Sequence, residues 1–272
     1  MPIVTSNGND LYYERRGDGP RLLFILGSSS TIEGSRLLLD LFVPHFDLLV
    51  HDHRGLGRSG PVLDSYEMAS CAADALAVME AVGWPSARVL GISFGGMVAQ
   101  ELAVTRPDRV VRLALLCTSA GGAGGSSYPL HELEGLAAPE RERIGRQLLD
   151  TRFDDDWLAT HPADRRLVEM VAGRADDPEP GRRQGVVEQF RARSHHDVWD
   201  RLGAITCPTL VACGRYDGIA PLVNGRAMAS RIDGAEMRIY EGGHAFVGQD
   251  PKSLPEIIGF LSAPATASRS DR

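Results

Sequence analysis

The residue of this chain best placed to do chemistry is a serine set between glycines. Ser93 stands in Val89-Leu90-Gly91-Ile92-Ser93-Phe94-Gly95-Gly96, after a short apolar run and before a helical pattern. That layout describes a sharp strand-to-helix turn that lifts a hydroxyl clear of a sheet. A serine hydroxyl attacks carbonyl carbon only when a base takes its proton. The best base is His244, in Glu241-Gly242-Gly243-His244-Ala245-Phe246, directly after an apolar run. Its imidazole needs an acid to orient it, and Asp217 follows another apolar run in Cys213-Gly214-Arg215-Tyr216-Asp217. Asp233 and Asp250 follow no buried run and are weaker. His51 and His53 flank Asp52 near an earlier run, and His195 and His196 could reach a pocket from a helical segment. His45, His131 and His161 have no supporting context.

Attack on a carbonyl develops a negative oxygen that must be met by N–H donors. The helix after Ser93 offers the N–H of Phe94. A second donor is expected from Leu26-Gly27-Ser28-Ser29-Ser30, with Gly27 permitting a tight approach and the N–H of Ser28 as donor. Leu26 and Ser29 are further candidates for the pocket wall.

These residues need elements that bring them together. Asn7-Gly8 separates two alternating stretches, Pro2 to Ser6 and Asp10 to Arg15, which read as a hairpin. Apolar runs follow at Leu22 to Leu26, Phe46 to Val50, Arg88 to Ile92, Val111 to Cys117, Thr209 to Cys213 and Met237 to Tyr240. Runs apolar throughout, rather than alternating, suit strands buried on both faces of a parallel sheet. Helical patterns lie between them at Glu67 to Val82, Gly96 to Val104, Pro221 to Arg231 and Leu254 to Leu261. Strand alternating with helix predicts an α/β fold with both faces of the sheet covered.

From Ala123 to Arg201 the pattern changes. Glu, Arg and Asp are frequent, no strand is evident, and helices are expected at Pro139 to Leu149, Asp154 to Ala159, Ala163 to Val171 and Gly185 to Arg193. Turns are marked by Pro129, Pro162 and Pro178-Glu179-Pro180, and the last residues from Ala263 read as frayed. The expected division is therefore a core of 1–122 and 202–272 with a helical lobe, 123–201, inserted over the pocket.

A length of 272 residues allows one substantial core. The formal charge of -7 argues against a nucleic-acid partner. No apolar stretch is long enough to span a membrane, and the start of the chain has no signal-like pattern. Cys71, Cys117, Cys207 and Cys213 form no close metal-ligand pair and read as free thiols of a reducing compartment, which makes the cytoplasm the expected location. Neither a dinucleotide fingerprint nor a zinc-spaced cluster appears, so no cofactor and no metal is expected. The expected partner is a small-molecule ester or lactone, with self-association left open.

Together these residues resemble the α/β-hydrolase superfamily. Gly91 to Gly96 matches its nucleophile motif, and Asp52-His53-Arg54-Gly55-Leu56-Gly57-Arg58-Ser59 matches its Asp-x-Arg-Gly-x-Gly-x-Ser hallmark. The order Ser, Asp, His is also the family's own. The resemblance implies a mostly parallel eight-stranded sheet with an inserted helical cap. It also implies Ser93 as nucleophile, Asp217 as acid, His244 as base and the amides of Ser28 and Phe94 as the oxyanion hole. Within the superfamily the chain is most similar to the enol-lactonase, esterase and cofactor-free haloperoxidase group, through Ser93 to Gln100. Hydrolysis of an ester or lactone of a small to medium apolar or aromatic metabolite is the implied reaction. Carbon–carbon bond hydrolysis of ring-cleavage products, perhydrolase or haloperoxidase activity, and a non-catalytic ligand-binding role are the alternatives. One departure concerns Leu26-Gly27, where the family commonly has His-Gly.

Overall fold

The computed structural model describes residues 2–172 and 180–264. Residues 178 and 179 of the expected turn, and the tail from residue 265, lie outside the described residues. Strands β1 (Ile3–Ser6) and β2 (Asn9–Arg16) form the hairpin, turning at Asn7 and Gly8 with φ of 46° and 81°. Both central residues at positive φ match the right-handed twist of the flanking strands. β2 pairs antiparallel with β4 (Asp47–His51). The remaining pairings are parallel and bring in β3 (Arg21–Ile25), β5 (Ala87–Ile92), β6 (Val110–Leu116), β7 (Thr209–Gly214) and β8 (Glu236–Tyr240). The sheet has eight strands in the order β1-β2-β4-β3-β5-β6-β7-β8.

The apolar runs are explained by two packed faces. Leu23, Ile25, Val89, Leu113, Leu115 and Val211 meet α2 (Met68–Ala81), α3 (Phe94–Thr105) and α8 (Leu222–Arg231). Their neighbours Leu22, Phe24, Leu90, Ala114, Leu116 and Leu210 point the other way, toward α1 (Arg36–Asp40), α9 (Phe246–Gln249) and α10 (Ser253–Ser262). Side chains alternate along a strand, so a strand covered on both sides must be apolar at every position. Each fully buried Leu, Ile or Phe contributes about 1.5–3 kcal/mol.

Between β6 and β7 the described residues hold α4 (Ala138–Leu149), α5 (Asp155–Thr160), α6 (Pro162–Ala172) and α7 (Pro180–Ser194), and no strand. Leu149, Phe153 and Leu158 form a small apolar cluster of their own with Trp157, Leu167 and Val168. α7 starts five residues before the expected Gly185. Gly-Arg-Arg-Gln carries no apolar period, yet Pro180 suits a first turn where no N–H acceptor is needed. No helix among the described residues is long and apolar enough to cross a membrane.

Candidate active site

The parallel strands end on one edge of the sheet, and the loops there carry the residues singled out above. Ser93 alone joins β5 to α3, with φ 54° and ψ -116°. A non-glycine residue there stores about 1–3 kcal/mol of strain and persists only when its surroundings over-determine it. Here they do. The Ser93 N–H donates to the Leu116 carbonyl at 2.9 Å, and its own carbonyl accepts from Thr118 Oγ1 at 2.8 Å and Gly96 N–H at 2.9 Å. The flanking glycines are required by space. A Cβ at Gly91 would lie 2.2 Å from the Gly95 carbonyl, and one at Gly95 would lie 2.1 Å from the Ile25 carbonyl.

His244 Nε2 lies 3.0 Å from Ser93 Oγ, and its Nδ1 lies 3.0 and 2.9 Å from the two Asp217 oxygens. A carboxylate can only accept, so Nδ1 carries the proton and Nε2 presents its lone pair to the serine hydroxyl. Asp217 Oδ1 also accepts the N–H groups of Ile219 and Ala220, both at 2.8 Å, which locks its rotamer. The Asp217 side chain is fully buried, and that of His244 is 13% exposed.

The histidine loop is held from a side that the sequence did not suggest. The His244 N–H donates to the Leu149 carbonyl at 2.6 Å, and a Cβ at Gly243 would lie 2.0 Å from that same oxygen. Gln249 accepts from Gly243 N–H at 2.9 Å and donates to Asp150 at 3.0 Å. Asp150 is fully buried and takes a bidentate pair from Arg152 at 2.9 and 2.6 Å. The Arg152 guanidinium lies over the rings of Tyr216 and Trp157. Leu149, Asp150, Arg152, Trp157 and Gln249 belong to no recognisable motif, so no sequence signal could have found them.

The loop after β3 lies above Ser93: a Cβ at Gly27 would be 3.6 Å from Ser93 Cβ. The Phe94 N–H begins α3 and has no acceptor in its own helix. The Ser28 N–H donates to no group among the described residues. Ser29 takes φ 58° and donates its N–H to Gln189 Oε1 of α7 at 2.8 Å. His53 Nε2 lies 3.0 Å from the Leu26 carbonyl and must donate to it, since a carbonyl only accepts. Its ring meets Phe94 edge-on at 5.2 Å. Burial lowers the His53 pKa, favouring the neutral ring. His53 therefore braces the loop that lacks the family's own histidine.

Two pocket expectations need correction. Leu26 is 2% exposed and packs into the core on the α1 and α10 side, because its strand ends with that face inward. His195 is exposed and lies 3.6 Å from Glu67 on the outer surface. Its neighbour His196 is buried and borders a cavity with Met97. Burial pulls its pKa down to about 4, which keeps it neutral.

The Asp52 to Ser59 motif does architectural work. Asp52 accepts from Ile32 N–H at 2.7 Å and Arg58 N–H at 2.9 Å. Gly57 sits at φ 56°, where a Cβ would be 2.2 Å from Asp52 Oδ2. Arg54 makes a buried bidentate pair with Asp74 at 2.5 and 2.6 Å. Cys117, Asp217 and His244 bring ligand-type atoms within 4.8 Å of one another. Asp217 and His244 are already engaged with each other, and His244 with Ser93. Burial raises the Cys117 pKa well above its ordinary value, favouring the thiol.

A family model described as the alpha/beta hydrolase fold matches residues 24–251. The chain belongs to the α/β-hydrolase fold family. It is a hydrolase of the α/β type, and its eight-stranded sheet is the one the motif resemblance implied. RutD of Azorhizobium caulinodans, by name a candidate carbamate hydrolase, is 27% identical over 266 residues, covering 96% of this chain and 98% of that one. The enol-lactonase of Burkholderia xenovorans LB400 superposes with a TM-score of 0.79 at 21% identity, over 96% of this chain and all of that one, a likeness of fold. Est816, described as an N-acyl homoserine lactone degrading enzyme, gives the same TM-score and the same coverage of both chains at 25% identity.

Proposed function

We propose that this α/β hydrolase is a serine esterase or lactonase working through an acyl-enzyme. The observation that carries the reading is the unbroken hydrogen-bond chain from Asp217 through His244 to Ser93. In this reading His244 takes the Ser93 proton as Oγ attacks the carbonyl, and Asp217 stabilises the imidazolium that forms. The tetrahedral oxygen is met by the amides of Ser28 and Phe94, each worth about 3 kcal/mol to the transition state. His244 then returns its proton to the leaving alcohol and activates the water that releases the acid. In a lactone the freed hydroxyl remains part of the acyl chain, and water releases a single hydroxy acid. A carbamate, the substrate class in the RutD name, would be attacked at its carbonyl in the same way.

The segment 123–201 acts as a cap over the core formed by 1–122 and 202–272. Two contacts of α7 support this: Gln189 with the Ser29 amide, and Gly185 against Gly55, where a Cβ on Gly185 would lie 2.5 Å from the Gly55 carbonyl. Turnover of 4-nitrophenyl esters by the wild type, with stoichiometric labelling of Ser93 by a fluorophosphonate, is the expected result. Ser93→Ala should lower the rate by at least about a thousandfold in a folded protein. Retention of the rate by that variant rejects the proposal.

A further inference from the structure

We infer that the cavity beside the nucleophile helix is an acyl pocket for a carboxylate-bearing substrate, with Arg193 as the residue that binds the carboxylate. The inference rests on the hydrolase reading and narrows its substrate to an anionic ester or lactone. Gly185, Gln189 and Arg193 lie four residues apart and so share one face of α7. All three are buried. Gly185 sets the helix against Gly55, Gln189 reaches the loop over Ser93, and Arg193 follows one turn later.

Arg193 is only 7% exposed, and its Nε and Nη2 have no acceptor among the described residues. The other buried arginines are all engaged. Arg54 pairs with Asp74, Arg109 with Glu80 and the Trp84 carbonyl, and Arg112 with the Phe260 carbonyl. Buried charges are ordinarily paired, because desolvation without a partner is costly. Asp217 is an opposing charge that acts on Arg193, but its oxygens already accept from His244, Ile219 and Ala220. Burial pulls the Arg193 pKa down to about 10, which leaves it charged at neutral pH.

Arg193 borders a cavity of about 200 Å³ that Met97, Ser127, Tyr128, Phe190 and His196 also line. Met97 lies one helical turn beyond Ser93 on α3 and brings the cavity toward that serine, which does not itself line it. Met97, Pro129 and Phe190 supply apolar wall, Ser126, Ser127, Ser194 and Tyr128 supply hydroxyls, and with the Arg193 cation this lining suits a short acyl chain ending in an anion. The size falls below the roughly 300–1,000 Å³ of drug-sized sites. Nε and Nη2 are sealed from solvent as well as unpartnered, so an anion bound in the cavity would meet the guanidinium through Nη1, by a charge-assisted hydrogen bond.

The test uses the full chain and two esters of matched length, mono-4-nitrophenyl glutarate and 4-nitrophenyl valerate. The wild type should favour the glutarate by at least roughly tenfold in kcat/KM, mainly through KM. Arg193→Met should lower that ratio by roughly 30-fold or more, and Arg193→Lys by less. The wild-type preference and the Lys variant carry the test if Arg193→Met fails to fold. Wild-type turnover without an anion preference overturns the inference alone. So does an equal loss on both esters in Arg193→Met, which would mark Arg193 as mere support for Asp217. Absence of turnover of both esters, with no labelling of Ser93, rejects the hydrolase reading and this inference together.

Discussion

Replacing Gly243 by alanine is expected to damage activity before it damages the fold. A Cβ at this position would lie 2.0 Å from the Leu149 carbonyl, while real Cβ contacts stay beyond 3.0 Å, so the two backbones must part by at least about 1 Å. The same carbonyl accepts the N–H of His244 at 2.6 Å, so the separation falls directly on the proposed base. His244 Nε2 has little slack: it stands 3.0 Å from Ser93 Oγ, and a general base works within about 3.2 Å. A misplacement near 1 Å costs on the order of 100-fold, which is about 2.7 kcal/mol in the barrier. The overpacking itself should cost about 1–3 kcal/mol of stability, a drop of a few degrees in Tm. The assay is 4-nitrophenyl ester turnover normalised to folded protein by near-UV circular dichroism. Gly259→Ala is the control, since a Cβ there meets nothing within 4 Å. Wild-type kcat in folded Gly243→Ala would refute the claim that this glycine positions the base.

Three further outcomes follow from the same geometry. His53→Ala removes the donor to the Leu26 carbonyl; kcat should fall about tenfold, with partial recovery in His53→Gln, and an unchanged kcat in ester assays would show that the loop is held otherwise. Arg54→Met strands the buried Asp74 carboxylate and should lower stability by about 3–5 kcal/mol in urea titration, most of it regained on adding Asp74→Leu; a loss under 1 kcal/mol would contradict this. Stability should decline as pH falls from about 6.5 toward 4. Burial pulls His51 down to about 3 and His196 to about 4, so the unfolded chain takes up protons in that window that the folded chain refuses. Urea midpoints between pH 7 and 4.5 should show this slope flattened in His51→Phe, and an unaltered slope would remove His51 from the explanation.

Much of this molecule is legible in its residue order because the relevant signals are local. The strands buried on both faces announce themselves as unbroken apolar runs. The turn at Ser93 needs Gly91 and Gly95 within a few positions, so its chemistry is written in one short segment. Asp217 and His244 could be nominated because each directly follows an apolar run. What the order of residues could not supply are contacts between segments far apart in the chain. Gln189 meets Ser29 across 160 positions, and Gln249 meets Asp150 across 99. Neither pairing leaves a pattern in the residues around it. The histidines show the limit most clearly. His195 and His196 are adjacent and chemically identical, yet one is exposed beside Glu67 and the other is buried against the cavity. Their difference comes from where the chain leaves α7 and turns back toward β7. Arg193 likewise reads as one more arginine of a charged helix until the fold buries it, its Nε and Nη2 without a partner among the described residues.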